Sequence, residues 1–270
     1  MKVLITGSSG FLGNEFTQLL NKKKYHCFFL TRGKQKKNYF NCPLQNHKKL
    51  KKILKIIKPD IIINLAAEVD FQKKTINMYN VNAKPLKIFS EYCTKERKHL
   101  IQSSGTLVNG SQKYYSRKTS LVPNNDYGKS KLLADNFIIN SKCKYTILRF
   151  GGIYGKNGPH HLGINKFINN AVKGKKLEFK GNPGSKRNYV YVGDAAKTIK
   201  KCLDKKIYGI FYIGGEIQTF KKMMKKINFK LGKNKNVIFK KSNEPISNQI
   251  ILNDKIIKPT SFSKSLNLIR

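Results

Sequence analysis

Acidic residues are scarce in this sequence. Asp and Glu number 14 against 55 Lys and Arg, which leaves a formal net charge of +41. Such a field draws polyanions: nucleic acid, anionic lipid or phosphorylated metabolites. The Lys are spread along the whole chain beside abundant Asn and Ile, as an A- and T-rich coding bias produces. They read as a solvated surface with a secondary bias toward phosphorylated ligands. They lack the interleaved aromatics of a single-strand binder, so nucleic acid is not the expected partner. Cysteines are few and scattered, at Cys27, Cys42, Cys93, Cys143 and Cys202. The odd count and the lack of any CxxC pair argue against a disulfide framework or zinc site and fit reduced thiols in a cytoplasm. His160 and His161 adjoin on a loop without a carboxylate cluster, so no metal is expected. No apolar run approaches the roughly 18–20 residues of a membrane span. The N-terminal apolar run is too short for a signal peptide and reads as a buried strand. No internal repeat and no Gly/Ser/Pro linker is present.

What the chain does have is 39% hydrophobic and 11% aromatic residues, enough to fold. Apolar runs alternate with helical patterns. Strands are expected at 2–6, 26–31, 60–65, 99–103 and 145–150, and helices at 11–21, 48–58, 76–96 (interrupted near Pro85) and 127–140. Leu50, Ile53, Leu54 and Ile57 recur at helical spacing, with Lys between them on the outer face. Continuous apolar strands separated by helices indicate a parallel sheet covered on both faces, hence a doubly wound (Rossmann) α/β fold. After Gly155 the pattern loosens. Strands are expected at 188–192, 210–213 and 237–240, and helices at 194–204 and 219–231. The reading is a dinucleotide-binding domain over 1–155 and a smaller substrate lobe over 156–270, interleaved with the last elements of the sheet.

Thr6-Gly7-Ser8-Ser9-Gly10-Phe11-Leu12-Gly13 follows the first strand and opens a helix. Gly7 permits the turn, Gly10 lets backbone approach a pyrophosphate, and Gly13 lets helix and strand pack closely. The helix start, with Ser9, Phe11 and Leu12, would receive the negative charge on free N–H groups. The second strand ends in Thr31-Arg32-Gly33-Lys34, where an NAD site usually has an acid for the ribose 2′-hydroxyl. Arg32 suits a 2′-phosphate instead, which favours NADP over NAD.

Tyr127 and Lys131 form Tyr-x-x-x-Lys, about one helical turn apart. A phenol with a pKa of about 10 is a poor base at neutral pH, and a neighbouring ammonium favours its ionised form. The pair begins the helix after the fifth strand, far downstream of the glycine turn.

Other segments join these in order. They are Asn64-Leu65-Ala66-Ala67, Asn80-Val81-Asn82-Ala83, Ser103-Ser104-Gly105-Thr106-Leu107-Val108-Asn109-Gly110, Leu148-Arg149-Phe150-Gly151-Gly152-Ile153-Tyr154-Gly155 and Arg187-Asn188-Tyr189-Val190-Tyr191-Val192-Gly193-Asp194. With the G-x-x-G-x-x-G turn, the set resembles the extended short-chain dehydrogenase/reductase superfamily, its nucleotide-sugar epimerase/dehydratase branch. The resemblance implies a cytoplasmic NAD(P)-dependent epimerase or reductase acting on a nucleotide-diphosphate sugar, and a homodimer formed through a helix pair. It implies that Tyr127 is the acid/base, that Lys131 holds the nicotinamide ribose, and that Leu65, Ala66, Ala67 and Ser103 border the cofactor. Asn80 would hold the central helix, and Arg187 would grip the diphosphate. Three positions depart from the pattern, one of them Asn109, which stands where the family usually has Tyr. The usual catalytic Ser/Thr falls on Gly105, where the flanking Ser104 or Thr106 could supply the hydroxyl, with Ser104 slightly preferred. The Asn that contacts substrate is Gly152. The acidic pair of the dehydratases is absent at Thr106-Leu107, which argues against dehydration. Alternatives are a catalytically weak NADP-binding sensor or scaffold, and a polyanion binder that uses the Rossmann unit for interaction only.

Overall fold

The computed structural model describes residues 1–21, 23–69, 75–232, 236–240 and 243–269. A seven-stranded sheet is built from β1 (Lys2–Thr6), β2 (His26–Thr31), β3 (Tyr39–Asn41), β4 (Ile61–Asn64), β5 (His99–Gly105), β6 (Lys144–Phe150) and β7 (Gly209–Ile213). The strands lie in the order β7-β6-β5-β4-β1-β2-β3, and every pairing from β3 across to β5 is parallel. This is the doubly wound order, and its direction reverses between β1 and β4. Val3–Ile5 and Ile61–Ile63 are buried along their whole length, as strands covered on both faces must be.

Helices α1 (Phe11–Gln18), α2 (His47–Ile57), α3 (Thr75–Asn82), α4 (Lys84–Lys95) and α5 (Asp126–Asn140) connect these strands. Asn46 starts α2 by accepting a hydrogen bond from the Lys49 N–H at 3.0 Å. Lys58 ends the helix in the left-handed region, at φ 49°. Its Leu50, Ile53, Leu54 and Ile57 join Leu4, Ile62 and Leu100 in one core, while Lys48, Lys51, Lys52 and Lys55 face water. Each such Leu or Ile contributes about 1.5–3 kcal/mol by burial. The break near Pro85 separates α3 from α4, with Pro in the first turn of α4, where its missing N–H costs nothing.

The chain divides into two compact units. The first holds Met1–Ser111, Ser120–Arg149 and Ala196–Phe211, and the second holds Gln112–Thr119, Phe150–Ala195 and Tyr212–Arg270. Residues 112–119 and 150–155 group with the second unit, and 196–211 return to the first, since β7 hydrogen-bonds beside β6 in the sheet. The second unit has its own core. Ile164, Phe167 and Ile168 of α6 (Gly163–Val172) pack with Met223, Met224 and Ile227 of α8 (Phe220–Leu231) and with Phe262 and Leu266 of α9 (Phe262–Asn267).

The sequence pattern expects a strand at 188–192, but only Val190–Tyr191 is one. Asn188 makes the difference. Its side-chain amide exchanges two hydrogen bonds with the Ile251 backbone, each 2.9 Å, and so replaces backbone pairing. Val192 already begins α7 (Val192–Lys205). Helices α6 and α9 were not expected, since α9 has only six residues and α6 opens on Gly163. Among the described residues no helix is long and apolar enough to cross a membrane.

Candidate active site

The β1–α1 turn is shaped by close backbone approach. Gly7 lies at φ +70°, and a Cβ there would sit 2.5 Å from the Ala66 nitrogen. A Cβ on Gly13 would sit 1.9 Å from the Gly7 carbonyl oxygen, so only glycine lets α1 enter this tightly. Gly10 is the N-cap and offers no side chain to the first turn of α1, which contains no acid. The turn thus leaves helix N–H groups to an anion, beside exposed Ser9 and Gly10. Phe11 is half-buried, and Leu12 is buried in the core, so Leu12 can offer backbone only. Leu65 and Ala66 are half-buried and Ala67 exposed just past β4. These residues fit a dinucleotide pyrophosphate. At the end of β2, Thr31 Oγ1 accepts from the Gly33 N–H at 3.0 Å, and Asn41 Nδ2 donates to the Gly33 carbonyl at 2.8 Å. This fixes the loop that carries the exposed Arg32.

Helix α5 starts at an Asn125 cap whose Oδ1 accepts from the Gly128 N–H at 2.8 Å. Gly128 lies against the turn Thr106–Asn109, where a Cβ would come 2.5 Å from the Leu107 carbonyl oxygen. Lys131 is buried, and its Nζ donates to the Ser103 carbonyl at 2.6 Å. Tyr127 keeps part of its surface exposed. Burial pushes its pKa up to about 12, and the Asp135 charge adds to the shift. Burial also pulls Lys131 down to about 8, against the pull of Asp135. Desolvation is the leading influence on both groups, and it favours the neutral form of each.

The two candidate hydroxyls are placed differently. Ser104 is buried, and its Oγ donates to Asp135 Oδ2 at 3.1 Å. Arg149 Nε donates to the same oxygen at 3.0 Å, an ion pair with almost no solvent exposure. Burial raises the Asp135 pKa, while Arg149, Lys131 and Ser104 pull it back. Thr106 is half-buried at the start of the turn that meets α5. The residues Asp135 and Arg149 escaped the sequence reading as a pair. The available signals were a charge inside the apolar run of β6 and an acid four residues after Lys131, one turn along the same helix face.

A second hold on α5 comes from Asn82, not Asn80. Asn82 Oδ1 accepts from the Glu68 N–H at 2.7 Å, and its Nδ2 donates to the Glu68 carbonyl at 2.9 Å and to Ser130 Oγ at 3.0 Å. Ser130 Oγ in turn donates to the Tyr127 carbonyl at 2.8 Å. Asn82 is buried, whereas Asn80 is half-exposed.

The first unit therefore gathers every expected catalytic and cofactor residue, and the second holds the two expected substrate residues. Arg187 donates to the carbonyls of Lys186, at 2.9 Å, and Ser247, and its guanidinium lies 5.2 Å from the Phe220 ring centre. Gly152 lies against Tyr189: a Cβ there would sit 2.7 Å from Tyr189 Cδ1. The ring closes the space that a longer residue would occupy.

Residues 3–214 match the family model described as the NAD dependent epimerase/dehydratase family. The chain is 28% identical over 287 residues to a dTDP-4-dehydro-6-deoxyglucose reductase of Escherichia coli, covering 94% of this chain and 89% of that protein. It is 27% identical over 234 residues to an uncharacterized UDP-glucose epimerase, YtcB, of Bacillus subtilis (strain 168), covering 76% and 73%. The crystal structure of the UDP-glucose 4-epimerase of Thermotoga maritima with UDP-glucose superposes with a TM-score of 0.84 at 20% identity, covering 100% of this chain and 97% of that one, which is a likeness of fold.

Proposed function

The chain belongs to the NAD dependent epimerase/dehydratase family, and on that premise we propose that it reduces a keto group on a nucleotide-diphosphate sugar with NADPH. The observation that carries the reading is Tyr127 one helical turn from a buried Lys131 whose Nζ is held on the Ser103 carbonyl, in the same unit as the glycine turn. A nicotinamide dinucleotide held there would supply hydride chemistry toward the sugar carbonyl carbon. Ser9, Gly10, Phe11 and Leu12 hold its pyrophosphate on the backbone of the α1 start, beside Ala66 and Ala67. Arg32 pairs with the 2′-phosphate, which an acid at that place would repel. Lys131, anchored on the Ser103 carbonyl, holds the nicotinamide ribose.

Tyr127 donates its phenolic proton to the carbonyl oxygen as that oxygen gains charge, and regains a proton from solvent. A pKa of about 12 suits a proton donor to a forming alkoxide better than it suits a starting base. Thr106 supplies the hydroxyl that holds the same oxygen, because Ser104 is committed to Asp135. Arg187, in the second unit, is the proposed grip on the sugar diphosphate. The E. coli reductase similarity, which extends over most of both chains, supports this direction.

An epimerase is the second reading, favoured by the similarity to YtcB. The discriminating experiment incubates purified protein with NADPH and with NADH, each with a keto sugar nucleotide, and separately with UDP-glucose and no added reductant. Stoichiometric oxidation of NADPH with formation of the alcohol supports the reductase. Conversion of UDP-glucose to its epimer without net cofactor consumption replaces it with the epimerase.

A further inference from the structure

Three polar side chains lie in one rank across the middle of the sheet. Thr6, Asn64 and Gln102 are register partners on β1, β4 and β5, and none is more than 1% exposed. The residues just before them are apolar and buried: Val3–Ile5, Ile61–Ile63, Leu100 and Ile101. Central strands of a doubly wound sheet are ordinarily apolar throughout. A buried amide destabilises the fold unless it is fully paired, so two of them side by side need a reason.

The rank is paired from end to end. Thr6 Oγ1 donates to Asn64 Oδ1, Asn64 Nδ2 donates to Gln102 Oε1 at 2.8 Å, and Gln102 Nε2 donates to the Ser103 carbonyl at 3.0 Å. That carbonyl is the one that accepts Lys131 Nζ at 2.6 Å. At the other end, Thr6 Oγ1 accepts from the Ala66 N–H at 3.3 Å, at the residue that Gly7 packs against. The three side chains all donate in the direction of Ser103. An unbroken series of hydrogen bonds in a dry interior is stiffer than its separate members.

We propose that Gln102, oriented by Asn64 and Thr6, is a positioning residue that fixes the Ser103 carbonyl and through it the Lys131 ammonium, so that one rank of hydrogen bonds sets the glycine turn and the active turn of α5 together. The inference rests on the role of Lys131 in the proposed function and extends it to residues that touch neither substrate nor cofactor. A purely structural rank would affect melting alone. A positioning rank also changes dinucleotide affinity, and does so only while Lys131 is present.

The test is a double-mutant cycle on dinucleotide binding, read by NADPH fluorescence beside thermal melting. Gln102→Met keeps length and removes both hydrogen bonds. It should weaken NADPH binding by about tenfold. Lys131→Met should weaken it more, and the double variant should bind no worse than Lys131→Met alone. Thr6→Val, a near-isosteric change that keeps the fold if Gln102→Met does not, should weaken binding by about threefold and show the same non-additivity. Losses that add across the cycle, or folded variants that bind as tightly as the unaltered protein, overturn the inference while leaving the functional reading in place. If the unaltered protein binds neither NADPH nor NADH, or if Lys131→Met binds normally, the functional reading falls and this inference with it.

Discussion

Ser104 Oγ donates a hydrogen bond to Asp135 at 3.1 Å in a site that water barely reaches. The hydroxyl next to the usual catalytic position is thereby spent on holding a carboxylate. Ser104→Ala should cost about 1–3 kcal/mol of stability, because the buried carboxylate loses a donor, and should leave kcat nearly unchanged. Thr106→Val should instead lower kcat by about 100-fold with little change in melting. Denaturant melts and steady-state rates on both variants decide it; a dead but stable Ser104→Ala would return the catalytic hydroxyl to Ser104.

Arg149 and Asp135 form the buried ion pair that Ser104 completes. Removing one partner leaves an uncompensated charge in a dry site. Arg149→Met should therefore destabilise the protein by about 3–5 kcal/mol. Replacing both, as Asp135→Leu with Arg149→Met, should cost less than Arg149→Met alone. Urea unfolding of the single and double variants is the measurement.

Tyr127→Phe removes only the transferable proton. It should reduce kcat by at least about 100-fold and leave NADPH affinity within about threefold. The pH dependence of binding follows from Lys131. Its pKa of about 8 means that the ammonium is lost as pH rises through that value. NADPH affinity should accordingly fall above pH 8, and the fall should vanish in Lys131→Met.

Arg32→Ala should weaken NADPH binding by about tenfold or more and leave NADH binding unchanged, since a charge-assisted hydrogen bond to phosphate is worth about 1.5–3 kcal/mol. Fluorescence titration with each dinucleotide reads the ratio. Equal losses for both would show that Arg32 does not read the 2′ position.

His99 gives the fold an acid sensitivity of its own. Its Nε2 is 2.8 Å from Thr146 Oγ1, and its ring packs edge-on to Tyr208 with centres 4.8 Å apart. Burial first, then Lys144 and Lys206, lower its pKa to about 4. The unfolded chain, with a value of about 6.5, takes up the proton first. Stability is full above about pH 6.5 and declines as pH falls toward 4, by up to roughly 3 kcal/mol. Melting curves at pH 7.5 and 4.5 should show a smaller acid loss for His99→Gln than for the unaltered protein.

The sequence alone determined the strands at the centre of the sheet, the glycine turn and the Tyr127–Lys131 spacing. Each is a local matter: a run of β-branched residues, a turn that tolerates no side chain, two positions one helical turn apart. Period and sterics act over a few residues, and such signals are written in adjacent letters. Tertiary structure alone decided that Ser104 Oγ turns to Asp135, that Asn82 holds α5, and how deeply Lys131 is buried. Those depend on groups brought together from distant segments: Ser104 with Asp135 and Arg149, Asn82 with Glu68 and Ser130, Gln102 with Asn64 and Thr6. Desolvation, the leading influence on both Tyr127 and Lys131, is a property of everything packed around them and has no signature in the order of residues.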